Sequence, residues 1–484
     1  MKDLVAEWWE RIETSEKFAD NRESVCAANS RLKPGDVTLV GLVAEGGQGL
    51  ATANNARFLG YLESTPQASE VLAKREKWTE RWLAAQDIKR VFTDELSKHG
   101  GDPAKPTKNG AAWEACVEPL RARFSPERLG FSKSDLYRIV PKELVANDSD
   151  FQFTWDQRKA ELLALWRNEP NLESFWQGGL QDSEDRNFAR KLKEPNRVSD
   201  GDFCILCREL QAWLVEENAR RKGLKQSPIP RAVLGLRSSE DYRDPGDAPR
   251  IATIYNGLGG RGQFVPFRKG DPEGNRWLDN EPLYIDWSRA SVEWLSSASE
   301  ARWQGHRLFL TAGVSWTRGA NHVPIKARMV APAIMDVNAM KLSPLAETGS
   351  SAAFLLAVFN SDVFSFYLKK FVAHTWMAQI NDLRMMPLVM PTKAQAERLE
   401  MLATQAMEAK RLTFSTGAVP HALAANVREL SQQLLDSAPP YLRPSVQAVL
   451  LTTATDCLQI LELAVNWEAE RLYGVEGLGP FDEF

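Results

Sequence analysis

Residues 49–58 have the sequence Gly-Leu-Ala-Thr-Ala-Asn-Asn-Ala-Arg-Phe, and two further motif segments follow along the chain. The second segment consists of Arg276-Trp-Leu-Asp-Asn280 and Tyr284-Ile-Asp-Trp287. The third begins with Leu355-Leu-Ala-Val-Phe-Asn-Ser361 and ends with Ile380-Asn-Asp-Leu-Arg-Met-Met-Pro387. Between residues 251 and 392, short apolar runs alternate with Gly and Pro turns. This alternation predicts a mixed α/β domain.

Three apolar runs predict β-strands around these segments. Residues 36–43 are rich in Val and are bounded by Pro34-Gly35 and Gly46-Gly47, which is typical of a buried strand. Residues 250–255 and 307–311 are shorter strand-like runs. We expect all three to be strands of the α/β domain.

Helices are predicted on both sides of this domain. A capping box at Thr154-Trp-Asp-Gln157 and a second helix over residues 202–221 indicate a mainly helical insertion. A further capping box, Thr392-Lys-Ala-Gln395, begins a series of heptad-like stripes that suits an antiparallel bundle. The stripes are Leu399, Leu402 and Ala406, then Leu423, Val427, Leu430 and Leu434, then Leu450, Ala454, Cys457, Leu461 and Ala464.

The predicted organisation therefore has five parts. Residues 1–65 form a lead-in helix, a strand and a Gly-rich turn, and residues 66–250 form the helical insertion. The α/β domain follows at 251–392, the helical spacer or bundle at 393–474, and a flexible tail at 475–484.

Composition predicts a globular cytoplasmic protein. The chain has 484 residues, of which 43% are hydrophobic, so it can bury a sizeable core. Its N-terminus carries charges where a signal peptide needs an apolar run, and the longest apolar block, Ala352–Phe359, is too short to span a bilayer. Five cysteines without framework spacing predict reduced thiols.

Charge is distributed unevenly along the chain. The net charge is −4, which argues against a non-specific polyelectrolyte binder. However, no acidic residue occurs between Ala301 and Met335, where five basic side chains and two histidines lie. Such a segment is typical of one face that meets phosphate, although a solvated loop has the same composition. These side chains are Arg302, His306, Arg307, Arg318, His322, Lys326 and Arg328.

Three glycine or proline motifs resemble cofactor or catalytic motifs only superficially. Residues 257–262 match GxGxxG, but Pro266 and Pro272 follow where a phosphate-binding helix should begin. Residues 46–49 lack the acidic residue after a second strand that would bind a ribose. Residues 438–441 begin with Ala where an amino-group methyltransferase needs a side-chain acceptor, so an interhelical turn is predicted.

No catalytic or metal-binding residue is predicted. Cys204 and Cys207 have the spacing of a zinc knuckle, but no second pair lies nearby, and a helix would place both thiols on an apolar face. With five histidines and none beside a nucleophile, Ser-His or Cys-His catalysis has no support. We therefore expect no cofactor in this chain and no catalysis by it alone.

Side chains suited to reading DNA are more plentiful. Arg and Lys donate to guanine, Asn and Gln pair with adenine, and basic side chains bind phosphate. Tryptophans 277, 287, 294, 303 and 316 interleave with such residues, and core packing is the preferred interpretation for most of them. The predicted DNA-binding residues are Asn54, Asn55, Arg57, Arg261, Gln263, Arg268, Lys269, Arg276, Arg302, Arg307, Arg318, His322, Lys326 and Arg328.

In this order, the three motif segments resemble the target-recognition region of adenine-specific DNA methyltransferases, both the type IIG restriction-modification enzymes and those of bacteriophage exclusion (BREX) systems. In that family the first segment has a glycine where Ala53 stands here, and the middle segment departs at Leu278 and Asp279. A Cβ at position 53 would resist a positive φ.

The resemblance implies an α/β target-recognition domain that binds double-stranded DNA. In the family a catalytic domain precedes this region, so we expect a separate methyltransferase subunit as partner, with S-adenosylmethionine as the cofactor of that partner. Two alternatives stay open at this point: a methyltransferase or nuclease with unrecognised catalytic motifs, and a helical scaffold that binds protein through residues 66–250.

Overall fold

The computed structural model describes residues 31–103, 110–116, 132–178, 198–237, 239–271, 274–278, 283–319, 325–345, 348, 350–373, 375, 377–415 and 418–475. The predicted lead-in helix within residues 1–30 lies outside the described residues, as do His322 and nearly all of the predicted tail. Side chains of residues 82–90 are likewise outside the description.

The strands of the described chain are short, and none exceeds nine residues. In chain order they are β1 (Val37–Leu39), β2 (Ala44–Gly47), β3 (Leu59–Leu62), β4 (Arg138–Val140), β5 (Phe264–Arg268), β6 (Trp277–Leu278), β7 (Leu283–Asp286), β8 (Thr311–Thr317), β9 (Ala327–Met335), β10 (Ala339–Pro344) and β11 (Pro387–Val389).

Helices are longer and more numerous, so the class is mixed α/β, as predicted. They are α1 (Val40–Val43), α2 (Asn55–Phe58), α3 (Pro66–Lys77), α4 (Thr79–Lys98), α5 (Asp148–Asn168), α6 (Glu173–Gly178), α7 (Asp200–Gly223), α8 (Ala248–Asn256), α9 (Arg289–Ser297), α10 (Ala352–Phe359), α11 (Asp362–Tyr367), α12 (Ile380–Arg384), α13 (Lys393–Thr413), α14 (His421–Ser437), α15 (Arg443–Gln447) and α16 (Ala454–Tyr473).

The chain divides into two compact units. Unit one contains the described residues within 1–51, 267–281 and 301–484, and unit two those within 52–266 and 282–300. The boundary between the units falls within β5, so that Phe264–Pro266 belong to unit two and Phe267–Arg268 to unit one.

The sheet of unit one is built on β9. Strands β2, β10, β8 and β9 follow one another with antiparallel pairing. On its other side β9 pairs in parallel with two short pieces, Phe267–Arg268 near its end and β6 near its start. The chain between these two pieces leaves the sheet and returns to it. This excursion, residues 269–276, carries two basic side chains, Lys269 and Arg276.

Helices α10, α13, α14 and α16 of unit one share one apolar core with its sheet. Thr392 and Gln395 form the predicted capping box, and the predicted stripes of α13 and α14 are buried. In the third stripe, Cys457, Leu461 and Ala464 are buried but Leu450 is 81% exposed, because α16 begins only at Ala454. Four helices, α13 to α16, thus follow residue 392 in the described part of the chain.

Unit two combines a small sheet with a helical core. Strand β3 pairs in parallel with β4 and antiparallel with β7, which pairs antiparallel with Phe264–Pro266 of β5. Helices α5 and α7 pack around Trp155, Trp166 and Phe203. Predicted boundaries of 202–221 for the second helix lie inside the observed α7.

A charged network lies inside the core of unit two. Glu240 is fully buried, and both of its carboxylate oxygens accept from the guanidinium of Arg158 at 3.0 and 3.1 Å. The hydroxyl of Tyr242 and the backbone N–H of Arg237 also donate to this carboxylate, at 2.6 and 2.8 Å. Because a buried carboxylate is tolerated only when its lone pairs are satisfied, these donors account for its position.

Several predicted elements were wrong in type or extent. Residues 36–43 are a strand only at β1 and continue as helix α1, since a fully buried apolar run does not distinguish strand from helix. Residues 250–255 belong to α8, because Pro249 begins a helix whose Ala248, Ala252 and Tyr255 lie on one buried face.

Two further corrections concern boundaries. Thr154 lies inside α5, whose capping box is formed earlier by Asn147 and Asp150. Residues 307–310 do not form a strand: a 3₁₀ turn spans His306–Leu308, and Leu310 has a φ of +58°, so β8 begins only at Thr311.

No single helix among the described residues is long and apolar enough to cross a bilayer. Residues Ala352–Phe359 and Asp362–Val372 reach the necessary length only as a pair, and the two helical pieces are bent by 65° at the break between them. Helix α10 is instead buried in the core of unit one.

Candidate nucleic-acid interface

Three turns of unit one meet around a concavity of about 430 Å³, which we call the loop pocket. The turns are the chain after β5, the end of β8 and the connection between β9 and β10. Backbone hydrogen bonds hold them together: Arg318 N–H donates to Asn338 O and Asp336 N–H to Arg268 O, both at 2.8 Å. The side chains and backbone that line the pocket include Lys269, Thr317, Arg318, Asp336, Asn338 and Met377.

Thr317 fixes the first turn of the pocket to the second. Its hydroxyl accepts from Asp271 N–H and donates to Asp271 O, both at 2.8 Å. Gly270 comes so close to the β9–β10 turn that an added Cβ would lie 2.8 Å from Asn338 O. Because the turns are bonded to one another, the pocket is held open by backbone rather than by mobile side chains.

The loop pocket combines two cations with one carboxylate. Asp336 is 6% exposed, and burial raises its pKa against the lowering effects of Asn338 N–H and of Lys269. Arg318 has a buried Nε atom without a hydrogen-bond partner among the described residues. A site with these groups offers donors and one acceptor to a polar ligand.

A second charged group in unit one, which we call the basic cluster, contains Arg276, Lys326 and Lys410. Glu462 on α16 lies 3.8 Å from the Arg276 guanidinium and accepts from Trp277 Nε1 at 2.8 Å. Helix α13 contributes Lys410 in its last turn. The basic cluster therefore brings together three cations that are far apart in sequence, with Asp271 and Glu462 as the acidic groups that act on them.

The pKa values of the two lysines reflect this crowding. Burial lowers the pKa of Lys326, the positive charges of Arg276 and Lys410 lower it further, and Asp271 and Glu462 oppose them. Burial also lowers the pKa of Lys410, against the same two acids.

Arg328 does not belong to the surface of this cluster, contrary to the prediction that it faces phosphate. It is 1% exposed, its Nη2 donates to Lys269 O, and its Nη1 lies 3.9 Å from Asp271. The guanidinium is held in the interior by the backbone oxygen of Lys269 and by the nearby carboxylate of Asp271. Arg328 therefore supports the loop pocket from within.

The other predicted residues of unit one lie on either side of these groups. Arg268 donates from its Nη1 to Phe267 O at 3.1 Å. Arg302 is exposed, and its backbone pairs with Ala51. Arg307 is half-buried in the 3₁₀ turn after Gly305. None of these three lines the loop pocket as described.

Five predicted residues belong to unit two. Asn54 caps α2 by accepting from Arg57 N–H, and Asn55 accepts from the Thr52 hydroxyl. Arg57 is exposed, and its guanidinium lies 4.7 Å from the ring centroid of Trp294, which is a cation–π arrangement. Arg261 and Gln263 are exposed in the turn before β5. The two asparagines thus stabilise a turn, whereas the other three side chains reach solvent.

Much of the motif sequence has a structural role. Trp277 is fully buried and has a φ of +71°, which is an unfavourable backbone conformation for a residue with a large side chain. The hydrogen bond from its indole to Glu462 helps to hold this conformation. Asn360 is buried and bonds both the N–H and the C=O of Ala327, at 2.8 and 2.9 Å. Core packing is confirmed for Trp277, Trp287 and Trp316, while Trp294 and Trp303 are half-buried.

The superficial motifs have the surroundings expected of them. Gly257, with a φ of +72°, ends α8, and strand β5 rather than a helix follows residues 257–262. Ala438 ends α14 in an interhelical turn. Cys204 and Cys207 are buried on one face of α7, and burial raises their pKa values to about 11 and about 12.

Sequence reasoning missed Asp336, Asn338 and Lys410. The first two stand in a short turn between adjacent strands, and a polar pair there is also typical of any hairpin. Lys410 lies near the C-terminus of a helix, where a cation is expected for helix stability alone. No local signal distinguished these residues from such ordinary roles.

Comparison of the sequence with protein-family models gives no match, and comparison with curated proteins gives none.

Proposed function

We propose that this chain recognises a DNA sequence on behalf of an adenine-specific DNA methyltransferase in a restriction-modification or BREX-like phage-defence system. Catalysis and S-adenosylmethionine binding belong to a separate chain in this proposal, and the complex works in the cytoplasm on double-stranded DNA. The observation that carries the proposal is the gathering of Lys269, Arg276, Arg318 and Lys326 in unit one.

These four cations support DNA binding because the sequence already predicted each of them to contact DNA. They come from the excursion after β5, from the end of β8 and from the start of β9, and Lys410 joins them from a distant helix. In an acidic chain, a local group of cations gives one face a positive potential and leaves the rest soluble.

The two groups suit two kinds of contact. Ammonium groups in the basic cluster are point charges suited to phosphate, which fixes the position of a protein on DNA without reading sequence. The loop pocket presents donors beside an acceptor on a backbone-bonded frame, as base recognition requires. Sequence would accordingly be read by the loop pocket and affinity supplied by the basic cluster.

The decisive experiment is methylation sequencing of the genome of the source strain with and without this gene. We expect N6-methyladenine at one sequence motif to disappear on deletion and to return with the wild-type gene. Methylation that is unchanged on deletion would contradict the proposed function.

Salt-dependent binding separates the two groups. With the methyltransferase subunit present, Lys326→Met and Lys410→Met should each reduce the slope of log K against log salt by roughly 0.9. Lys393→Met is the matched control, because this side chain is 90% exposed on the same helix as Lys410. Slopes unchanged in both cluster variants would remove the basic cluster from the interface.

Partner binding is tested by co-expression with a candidate adenine methyltransferase encoded beside this gene, followed by size exclusion. Elution as one complex at micromolar concentration is expected. Separate elution would count against a two-chain enzyme.

A further inference from the structure

We propose that the loop pocket binds one guanine base that has left its base pair. This inference rests on the proposed function, since it specifies what the pocket would take from DNA. It assigns Lys269 and Arg318 to the acceptor atoms of the base and Asp336 to its donor atoms.

The shape of the pocket favours an unpaired base. Its volume of about 430 Å³ lies within the range of small-molecule sites. Base edges inside a duplex lie at the floor of a groove, which protruding side chains reach and a concave site does not. A base turned out of the stack, by contrast, enters a pocket and presents its whole Watson–Crick edge.

The charges of the pocket favour guanine among the four bases. Guanine has acceptors at O6 and N7, to which Arg and Lys donate, and adjacent N–H donors at N1 and N2 for a carboxylate. Adenine carries an amino group in place of O6, so it would set a donor against the two cations. Cytosine offers the carboxylate only its exocyclic N4 amino group and thymine only its N3–H, so guanine alone places two adjacent donors against the carboxylate and acceptors against the two cations.

The state of Asp336 supports the same assignment. This carboxylate accepts from Asn338 N–H at 2.9 Å and is hydrogen-bonded by the Asn338 side chain, but burial still raises its pKa. Donors from a ligand would replace the solvation it has lost. The buried Nε of Arg318 similarly lacks a partner among the described residues, and an acceptor on the ligand would supply one. Met377 adds a polarisable side chain to the lining, suited to contact with a flat ring.

The experiment uses the full chain and five DNA duplexes. Four carry a single-nucleotide bulge of G, A, C or T, and the fifth is fully paired. A bulge provides an unpaired base without requiring the protein to extrude it. We expect the G bulge to bind roughly 5- to 150-fold more tightly than the other three, the discrimination that a well-placed bidentate pair gives.

Two variants and a control locate the effect. Asp336→Asn keeps the shape of the side chain but loses an acceptor, so the four bulges should bind alike. Arg318→Met should also reduce the preference for G, whereas Lys393→Met should retain it. Thermal melting of each variant verifies that it folds. Equal binding of the four bulges by the wild type, a preference kept by D336N, or tighter binding of the paired duplex would each overturn the inference.

Competition by dGMP separates this inference from the proposed function, because the mononucleotide tests the pocket without any duplex. Displacement of the G bulge by dGMP in the wild type but not in D336N supports the pocket, even if deletion of the gene leaves genomic methylation unchanged. Loss of methylation on deletion, together with bulge binding that ignores the base, would leave the proposed function intact and refute the guanine pocket.

Discussion

Replacing Arg328 with Met should destabilise unit one instead of weakening a DNA contact. The guanidinium is 1% exposed and is bonded to Lys269 O beside Asp271, while Met retains most of the volume without the charge. Breaking a buried ion pair costs about 3–5 kcal/mol, and the lower end applies because the Asp271 side chain is 24% exposed and keeps some solvation. We therefore expect a loss of about 3 kcal/mol.

Hydrogen exchange measured by mass spectrometry on β9 peptides tests this expectation in unit one alone. A loss of about 3 kcal/mol corresponds to exchange that is roughly 100-fold faster or more, since 1.4 kcal/mol is a factor of ten. Arg302→Met is the control, because that side chain is exposed and its loss should change stability by less than about 0.5 kcal/mol. Unchanged exchange in R328M, together with uniformly weaker DNA binding, would refute the buried role.

Three further outcomes are expected. Ala53 has a φ of +58°, so Ala53→Gly should raise stability to urea by about 1 kcal/mol, and a loss would contradict the strain. Burial lowers the pKa of His306 in the folded chain, so the unfolded chain takes up a proton first as the pH falls. The wild type should therefore lose more stability between pH 7 and pH 5 than His306→Gln does, as measured by the urea midpoints of the two proteins. Because burial raises the pKa values of Cys204 and Cys207 to about 11 and about 12, neither should react with Ellman's reagent at pH 8 before unfolding; prompt labelling of the native chain at these two positions would contradict this.

Elements with a strong local pattern were predictable from the sequence. The capping box at Thr392 and the stripes of α13 and α14 combine a start signal with a repeating apolar face, and both appear as expected. Residues 36–43 and 250–255 failed because short apolar runs have no reliable period, and tertiary packing decided between helix and strand. The predictions succeeded where many residues share one periodicity and failed where only a few residues do.

The candidate site was predictable only in part. Sequence reasoning selected Lys269 and Arg318 by residue type and neighbourhood, but it also selected Arg328, which has the same type and lies in the same basic segment. Burial distinguishes Arg328 from Lys269 and Arg318. Whether a side chain here is buried depends on where residues 269–276 run relative to β9, and no local sequence pattern predicts that path. Asp336 lies in the site because β9 pairs with β5, and this contact between distant parts of the sequence is likewise not encoded locally.

The residues that carry the resemblance and those proposed to read DNA have different roles in unit one. An added Cβ at Gly49 would lie 2.1 Å from Met335 O, Trp277 is tied to Glu462, and Asn360 is bonded to Ala327 at the start of β9. These residues fix strands and helices. By contrast, the loop pocket is formed by turns that this scaffold supports, and turns are where binding residues are most often found. Substitutions in the turns should therefore change which base is bound while the fold remains, whereas substitutions in the motif segments, apart from Arg276 of the basic cluster, should act mainly through stability.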